Sequence, residues 1–178
     1  MGKNAINKGE NMALLVIDVQ KGLFHRPHPI YKAEELLKNI NNLVDRSHEN
    51  AVAVYYIQHA NKSSLMEGSE AWEFHPQIQP EEVDTIIHKR YGSAFQETPL
   101  GEALSKNNVG TVVITGLVTH GCVRATCLDA LRLGYKVILV TDGHSNSNKN
   151  ATKYIKKWNK TLGRNGAELR MTEEVQFP

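Results

Sequence analysis

Three reactive side chains in this chain of 178 residues each stand close to the end of a predicted β-strand. Asp18 closes one apolar run, Lys89 directly follows a second, and Cys122 comes shortly after a third. Because ligands of a parallel sheet bind at the carboxyl ends of its strands, we expect the three side chains to meet at one edge. In a cysteine hydrolase, Asp18 would take the thiol proton, Lys89 would hold the thiolate and orient the carboxylate, and Cys122 would attack a carbonyl carbon.

Each of these residues also has an interpretation without catalysis. Asp18 and Lys89 at neighbouring strand ends could form a structural ion pair. Thr119 is the expected N-cap of a helix at 120–133, and the unpaired amides and dipole of that helix would favour a thiolate at Cys122. Backbone amides in the turn before the helix would supply an oxyanion hole. Most free cysteines, however, are small buried hydrophobes. Cys127 lies on the apolar stripe of the same helix, which predicts a core position for it.

The elements that would position these side chains alternate between strands and helices. Strands at 111–116 and 136–141 are continuous apolar runs, which is typical of parallel strands covered on both faces. The remaining elements are strands at 12–18, 51–57 and 84–88, a short edge strand at 167–171, and helices at 32–49, 100–107 and 149–162. This order predicts one α/β domain over residues 1–178, with three layers and a mostly parallel sheet.

Two connections in this pattern have features of their own. The long connection 60–82 contains Trp72 and Phe74, and we interpret it as a wall or lid over a pocket, or as a small apolar cluster beneath the loop. The segment 143–148 is predicted to be a turn that Asp142 caps.

Composition narrows the class of protein and its partners. Apolar residues make up 40% and charged residues 22% of the chain, which is ordinary for a globular domain. A net charge of +2 gives no reason to expect a nucleic-acid or membrane partner. Two cysteines without framework spacing indicate a reducing, cytoplasmic setting. The polar stretch 1–11 is expected to be frayed.

Five motifs carry a resemblance to a known family: LLVIDVQ, EGSEAWEFHPQI, HKRYGSAFQETPL, GLVTHGCVRAT and KKWNKTL. The chain resembles the isochorismatase-like cysteine hydrolases over nearly its whole length. The resemblance implies a Rossmann-like sheet of about six strands with helices on both faces, and Asp18, Lys89 and Cys122 as a catalytic triad. It also implies a cis peptide bond between Leu117 and Val118, so that the amides of Val118 and Cys122 form the oxyanion hole.

The same resemblance bears on metals and on the pocket. Nicotinamidases of the family carry an Asp-x-His metal site after the second strand, whereas this chain reads IQHANKS there, so we expect no metal and no cofactor. The GCVRAT segment is similar to the N-carbamoylsarcosine amidohydrolase and ureidoacrylate hydrolase branch. The residues that we expect to line the substrate pocket are Phe24, His59, Trp72, Phe95 and His120.

Three functions are compatible with these residues. The first is a metal-independent cysteine hydrolase that cleaves a C–N bond of a small amide, carbamoyl or ureido compound through a thioester. The second is hydrolysis of the vinyl ether of isochorismate, with Asp18 as general acid and no need for a thiol. The third is a binding or scaffold protein that has kept the fold. The expected partners are a small-molecule substrate and further copies of the chain in a homo-oligomer, a dimer or larger.

Overall fold

The structure, a computed structural model, describes residues 9–25 and 27–178. Within this part of the chain, no helix is long and apolar enough to cross a membrane. Most of the segment that we expected to be frayed, residues 1–8, lies outside the described residues. Asn11 contradicts that prediction, because it begins the first strand and is paired with Val109.

Six parallel strands form one sheet in the order β3-β2-β1-β4-β5-β6, which confirms the predicted parallel α/β sheet. This order reverses direction between β1 and β4, and such a switch point opens a crevice at the carboxyl ends of the strands. The strands are β1 Asn11–Ile17, β2 Ala53–His59, β3 Thr85–Lys89, β4 Val109–Leu117, β5 Lys136–Ser145 and β6 Glu168–Arg170.

Helices cover both faces of this sheet and bury its apolar side chains. The helices are α1 Lys21–Phe24, α2 Ala33–Glu49, α3 Leu100–Lys106, α4 Arg124–Arg132 and α5 Ala151–Arg164. Leu15 and Ile17 of β1 belong to the core under α3, α4 and α5, whereas Leu14 and Val16 belong to the core under α1 and α2. Successive side chains of a strand point to opposite faces, so a strand buried on both sides needs an unbroken apolar run.

Strand β5 is longer than we predicted, and the turn expected at 143–148 is wrong. His144 and Ser145 are paired with Gly116 and Leu117 of β4, so the strand continues past its apolar part. Asp142 does not cap a turn, because its carboxylate accepts hydrogen bonds from the amide and hydroxyl of Thr172 at 2.8 and 2.9 Å. Pairing with a neighbouring strand, which the local sequence does not reveal, extends β5.

The connection 60–82 lies against the carboxyl ends of β1 and β2. The side chains of Gln20 and Gln58 donate to the carbonyl of Trp72 at 2.7 and 2.9 Å. Phe74 packs on the core below α2, with its ring 5.7 Å from that of Tyr56. The connection therefore forms part of the edge at which Asp18 and Lys89 lie, and Phe74 supplies the apolar contact that we considered for it.

Candidate active site

Asp18 follows the last residue of β1 and has a left-handed backbone conformation, with φ of 50°. Aspartate is one of the few side chains that tolerate this region. Its amide donates to Ile57 of β2 at 2.9 Å, which fixes the turn against the neighbouring strand. The side chain is 2% exposed. The backbone thus directs a buried carboxylate to the switch point of the sheet.

Lys89 is the last residue of β3, two strands away from β1. Parallel strands are about 4.8 Å apart, so only a long side chain can reach from β3 to the end of β1. The Nζ atom of Lys89 lies 2.9 Å from Oδ2 of Asp18, and the lysine side chain is fully buried. Burial of both charges is tolerable because each has the other as a partner.

Cys122 lies in a π-helical turn, Thr119–Val123, that precedes α4. The peptide bond between Leu117 and Val118 is cis, which confirms the expectation drawn from the resemblance. The sulfur of Cys122 lies 3.2 Å from Nζ of Lys89. One ammonium group therefore contacts both the carboxylate of Asp18 and the thiol.

The predicted N-cap at Thr119 is wrong. Thr119 is the first residue of the π-helical turn, whose N-cap is Val118, and its hydroxyl lies 2.9 Å from Nδ1 of the buried His144. Cys122 is consequently in the π-helical turn and not in the first turn of α4. We had not predicted a role for His144, because a polar residue after an apolar run gave no sign that the strand continued.

The surroundings of Cys122 act against the expected thiolate in the resting site. Burial and the negative charge of Asp18 together raise the pKa of the Cys122 thiol to about 12, while the charge of Lys89 acts in the opposite direction. Oδ1 of Asp18 is buried and has no hydrogen-bond partner among the described residues. The carboxylate of Asp18 thus acts on the thiol and favours its neutral form.

Cys127 differs from Cys122 in its surroundings. It is fully buried in the core between the sheet and α4, as predicted. Burial alone raises its pKa to about 12, and no charged group contributes to that shift. The two cysteines thus provide a natural pair of sites for comparison.

Of the five residues expected to line the pocket, His59 contacts one of the three reactive side chains, that of Lys89. Its Nδ1 lies 3.2 Å from Nζ of Lys89. His120 and Val118 line a cavity together with His28 and residues 147–150.

Phe24, Trp72 and Phe95 contact other rings near the edge or in the core. Their ring partners are His75 at 4.4 Å, His88 at 5.1 Å and Tyr135 at 5.6 Å, respectively. Contact of these three residues with a substrate stays a prediction, as it does for His59 and His120. The same is true of the oxyanion hole.

The residues that the structure describes contain no candidate metal site. No group of three or more histidine, cysteine or acidic side chains in these residues is arranged to hold a metal ion. His59, which belongs to the IQHANKS segment, faces an ammonium group instead.

Comparisons with known proteins agree with this fold. The isochorismatase domain model matches residues 12–165. The uncharacterized isochorismatase family protein YrdC of Bacillus subtilis is 34% identical over 139 residues, covering 75% of this chain and 73% of that protein. The crystal structure of an isochorismatase-like hydrolase from Alkaliphilus metalliredigens is 26% identical with a TM-score of 0.83, covering 92% of this chain and 96% of that one.

A streptothricin hydrolase of Streptomyces noursei is 27% identical over 135 residues, covering 75% of this chain and 54% of that enzyme. The chain therefore spans about half the length of this curated relative.

Proposed function

Because this chain belongs to the isochorismatase family of hydrolases, we propose that it is a cysteine hydrolase that cleaves a C–N bond of a small amide, carbamoyl or ureido compound. The observation that carries the proposal is the position of the Lys89 ammonium, 2.9 Å from the Asp18 carboxylate and 3.2 Å from the Cys122 sulfur. A vinyl-ether hydrolase has no use for a thiol held beside an acid and a cation, so the geometry favours attack by sulfur.

The proposed reaction begins with transfer of the thiol proton of Cys122 to Oδ1 of Asp18. The sulfur then attacks the carbonyl carbon, and the new oxyanion is stabilised by the amides of Val118 and Cys122. The C–N bond breaks as Asp18 returns the proton to the leaving nitrogen, which departs as ammonia or an amine. Asp18 next takes a proton from water as the hydroxide attacks the thioester carbon. The C–S bond then breaks, the sulfur regains that proton from Asp18, and the product leaves as a carboxylic or carbamic acid.

Lys89 has an electrostatic part in this sequence. When the proton moves from sulfur to Asp18, the negative charge moves from the carboxylate to the sulfur. The ammonium is in contact with both groups, so it stays paired with the negative charge before and after the transfer. A raised thiol pKa is compatible with this step, because the proton passes to a neighbouring base and not to bulk water.

The proposal is tested by measuring ammonia release across small amides, ureides and nicotinamide, with and without a chelator. Cys122→Ala should lower turnover by at least about a thousandfold, because the nucleophile is absent. Asp18→Asn should lose nearly as much, because no base remains for the thiol. Cys127→Ala is the matched control and should keep wild-type turnover, since its sulfur lies in the core.

Mass spectrometry of the quenched reaction supplies a second measurement. An acyl group should be found on the peptide that carries Cys122 and not on the same peptide from Asp18→Asn. Turnover at the wild-type rate in Cys122→Ala would contradict the thioester route. If that variant hydrolysed isochorismate, Asp18 would act as general acid on a vinyl ether, and a wild-type protein inert toward every compound would favour the binding or scaffold function.

A further inference from the structure

The ammonium of Lys89 has more acceptors around it than protons to give. Four atoms lie within hydrogen-bonding distance of Nζ: Oδ2 of Asp18 at 2.9 Å, the carbonyl oxygen of Tyr91 at 3.1 Å, Nδ1 of His59 at 3.2 Å and Sγ of Cys122 at 3.2 Å. An ammonium group has three N–H donors and accepts nothing. At most three of the four atoms can therefore have an N–H donor to themselves, and the fourth can only share one.

The charge on the sulfur decides which of the four atoms lacks an N–H donor of its own. A neutral thiol is a weak acceptor, whereas the unprotonated nitrogen of an imidazole is a good one. Lys89 can only donate, so Nδ1 of His59 is the acceptor and Nε2 carries the ring proton. Burial and the positive charge of Lys89 lower the pKa of His59, which favours the neutral ring, although the charge of Asp18 and a hydrogen bond with the Tyr91 backbone act in the opposite direction. While the thiol is protonated, we therefore expect the three N–H groups to favour Asp18, Tyr91 and His59 over the sulfur, which lies as close to Nζ as Nδ1 of His59 does.

Loss of the thiol proton changes which acceptors the three N–H groups of Lys89 favour. A thiolate carries a full charge, and hydrogen bonds to charged acceptors are about twice as strong as those to neutral ones. The proton that points to His59 is the one released most readily, because the Tyr91 carbonyl follows Lys89 closely in the chain and the Asp18 contact is the shortest. The sulfur would thus take over the donor that His59 held.

We infer that His59 is a positioning residue that competes with the sulfur of Cys122 for one proton of the Lys89 ammonium. This competition keeps the sulfur protonated and unreactive until the thiol proton is transferred. This inference rests on the proposed function only in treating Cys122 as the nucleophile.

The backbone around His59 allows the inference to be tested by substitution. The amide and carbonyl of His59 are both hydrogen-bonded to the side chain of Gln20, each at 2.9 Å. These bonds do not involve the imidazole ring, so they survive a change of side chain. Replacement of His59 therefore removes an acceptor from Lys89 without releasing the end of β2.

The measurement is the rate at which iodoacetamide alkylates Cys122 between about pH 7 and pH 10, where the rate follows the thiolate fraction. In His59→Leu the freed proton turns to the sulfur, so alkylation should be about tenfold faster at each pH, which corresponds to a Cys122 pKa about one unit lower. His59→Asn is the matched variant, because its side-chain oxygen can replace Nδ1 as acceptor, and it should label near the wild-type rate.

Peptide mass spectrometry separates this effect from a loosened fold. Cys127 lies in the core and should label slowly and equally in all variants. Equal or slower labelling of Cys122 in His59→Leu than in the wild type would overturn the inference, as would equal acceleration in His59→Asn. If His59→Leu does not fold, His59→Ala tests the same loss of an acceptor.

The labelling experiment needs no substrate, so it is independent of the turnover assay. A faster Cys122 in a protein without amidase activity would support the competition and remove the proposed function. Turnover that depends on Cys122 without a change in labelling would leave the proposed function intact and remove the competition.

Discussion

Lys89 and Asp18 form an ion pair whose members are both shielded from water. Their side chains are 0% and 2% exposed, so neither charge has solvent to replace its partner. Removal of one member of such a pair leaves an uncompensated buried charge, which usually costs more than the pair itself contributes. The pair therefore matters to stability as well as to the proposed chemistry.

Lys89→Met should lower the free energy of unfolding by about 3–5 kcal/mol, because the carboxylate of Asp18 stays buried without a cation. Urea unfolding followed by circular dichroism measures the loss. The double variant Asp18→Asn with Lys89→Met should recover much of the stability while remaining inactive. A single variant as stable as the wild type would show that Asp18 does not hold a charge in the folded protein.

His144 should make the free energy of unfolding depend on pH below 6.5. Its ring is buried between Thr119 and Asn159, with contacts of 2.9 and 2.8 Å, and burial lowers its pKa to about 4 from 6.5. Above pH 6.5 the ring is neutral in both the folded and unfolded states, so it adds no dependence on pH. As the pH falls from 6.5 to about 4, His144 binds a proton in the unfolded chain but stays neutral in the folded protein.

The titration of His144 should therefore lower the free energy of unfolding by about 1.4 kcal/mol for each pH unit between pH 6.5 and 4. The shift predicts a total loss on the order of 3 kcal/mol between pH 6.5 and 4. His144→Asn cannot take up this proton and should show a shallower acid dependence in urea unfolding. His59 and His75, whose pKa values are also lowered, are present in both proteins and cancel in the comparison. Identical slopes would contradict the prediction.

At the scale of the elements, the approach of β4 to the end of β1 brings the cis turn beside Asp18. Gly116 has φ of 116°, and a Cβ atom there would lie 2.1 Å from the carbonyl oxygen of Ile17. No side chain fits at that distance, so the glycine allows the two strands to meet directly before the turns that carry Asp18 and Cys122. The position of Asp18 relative to Cys122 thus depends on a missing side chain.

Gly116→Ala should destabilise the protein by about 3 kcal/mol or more, because either backbone must move. Gly101→Ala is the matched control in helix α3, where nothing lies within 4 Å of the added atom. That variant should be as stable as the wild type or more stable by up to about 1 kcal/mol, since alanine favours the helix. Thermal unfolding measures the stabilities of the two variants. Equal stabilities would contradict the close approach of Gly116 to the carbonyl oxygen of Ile17.

The elements that the sequence predicted best are those whose signal is local. Helix α2 begins within one residue of the predicted start, because its apolar stripe follows the helical period. Asp18 and Lys89 were expected at strand ends because the apolar runs stop there. The extension of β5 through His144 and the π-helical turn at Cys122 depend on contacts with other strands and helices, and no local pattern encodes them.

At the scale of the whole molecule, the chain is expected to unfold as a single domain. Trp72 lies in the connection near the carboxyl edge and Trp158 in helix α5, so their fluorescence reports on two separate regions. Tryptophan fluorescence and far-ultraviolet circular dichroism should give coincident urea transitions. Two separate transitions would show that the edge and the helical layer unfold independently.

The expected homo-oligomer is tested with the same unfolding transitions. If folded copies associate, the midpoint should rise with protein concentration by mass action. Light scattering of the native protein gives the number of copies directly. A midpoint independent of concentration, together with the mass of one chain, would contradict the prediction of a dimer or larger assembly.

The raised pKa of Cys122 also bears on how the protein withstands oxidants. Peroxides attack thiolates and convert them to sulfenic acid, whereas neutral thiols react slowly. Because burial and the charge of Asp18 raise the pKa of this thiol, the resting sulfur is mostly neutral at pH 7. Stored without a reductant, the protein should therefore keep its thiol far longer than an enzyme whose cysteine rests as a thiolate.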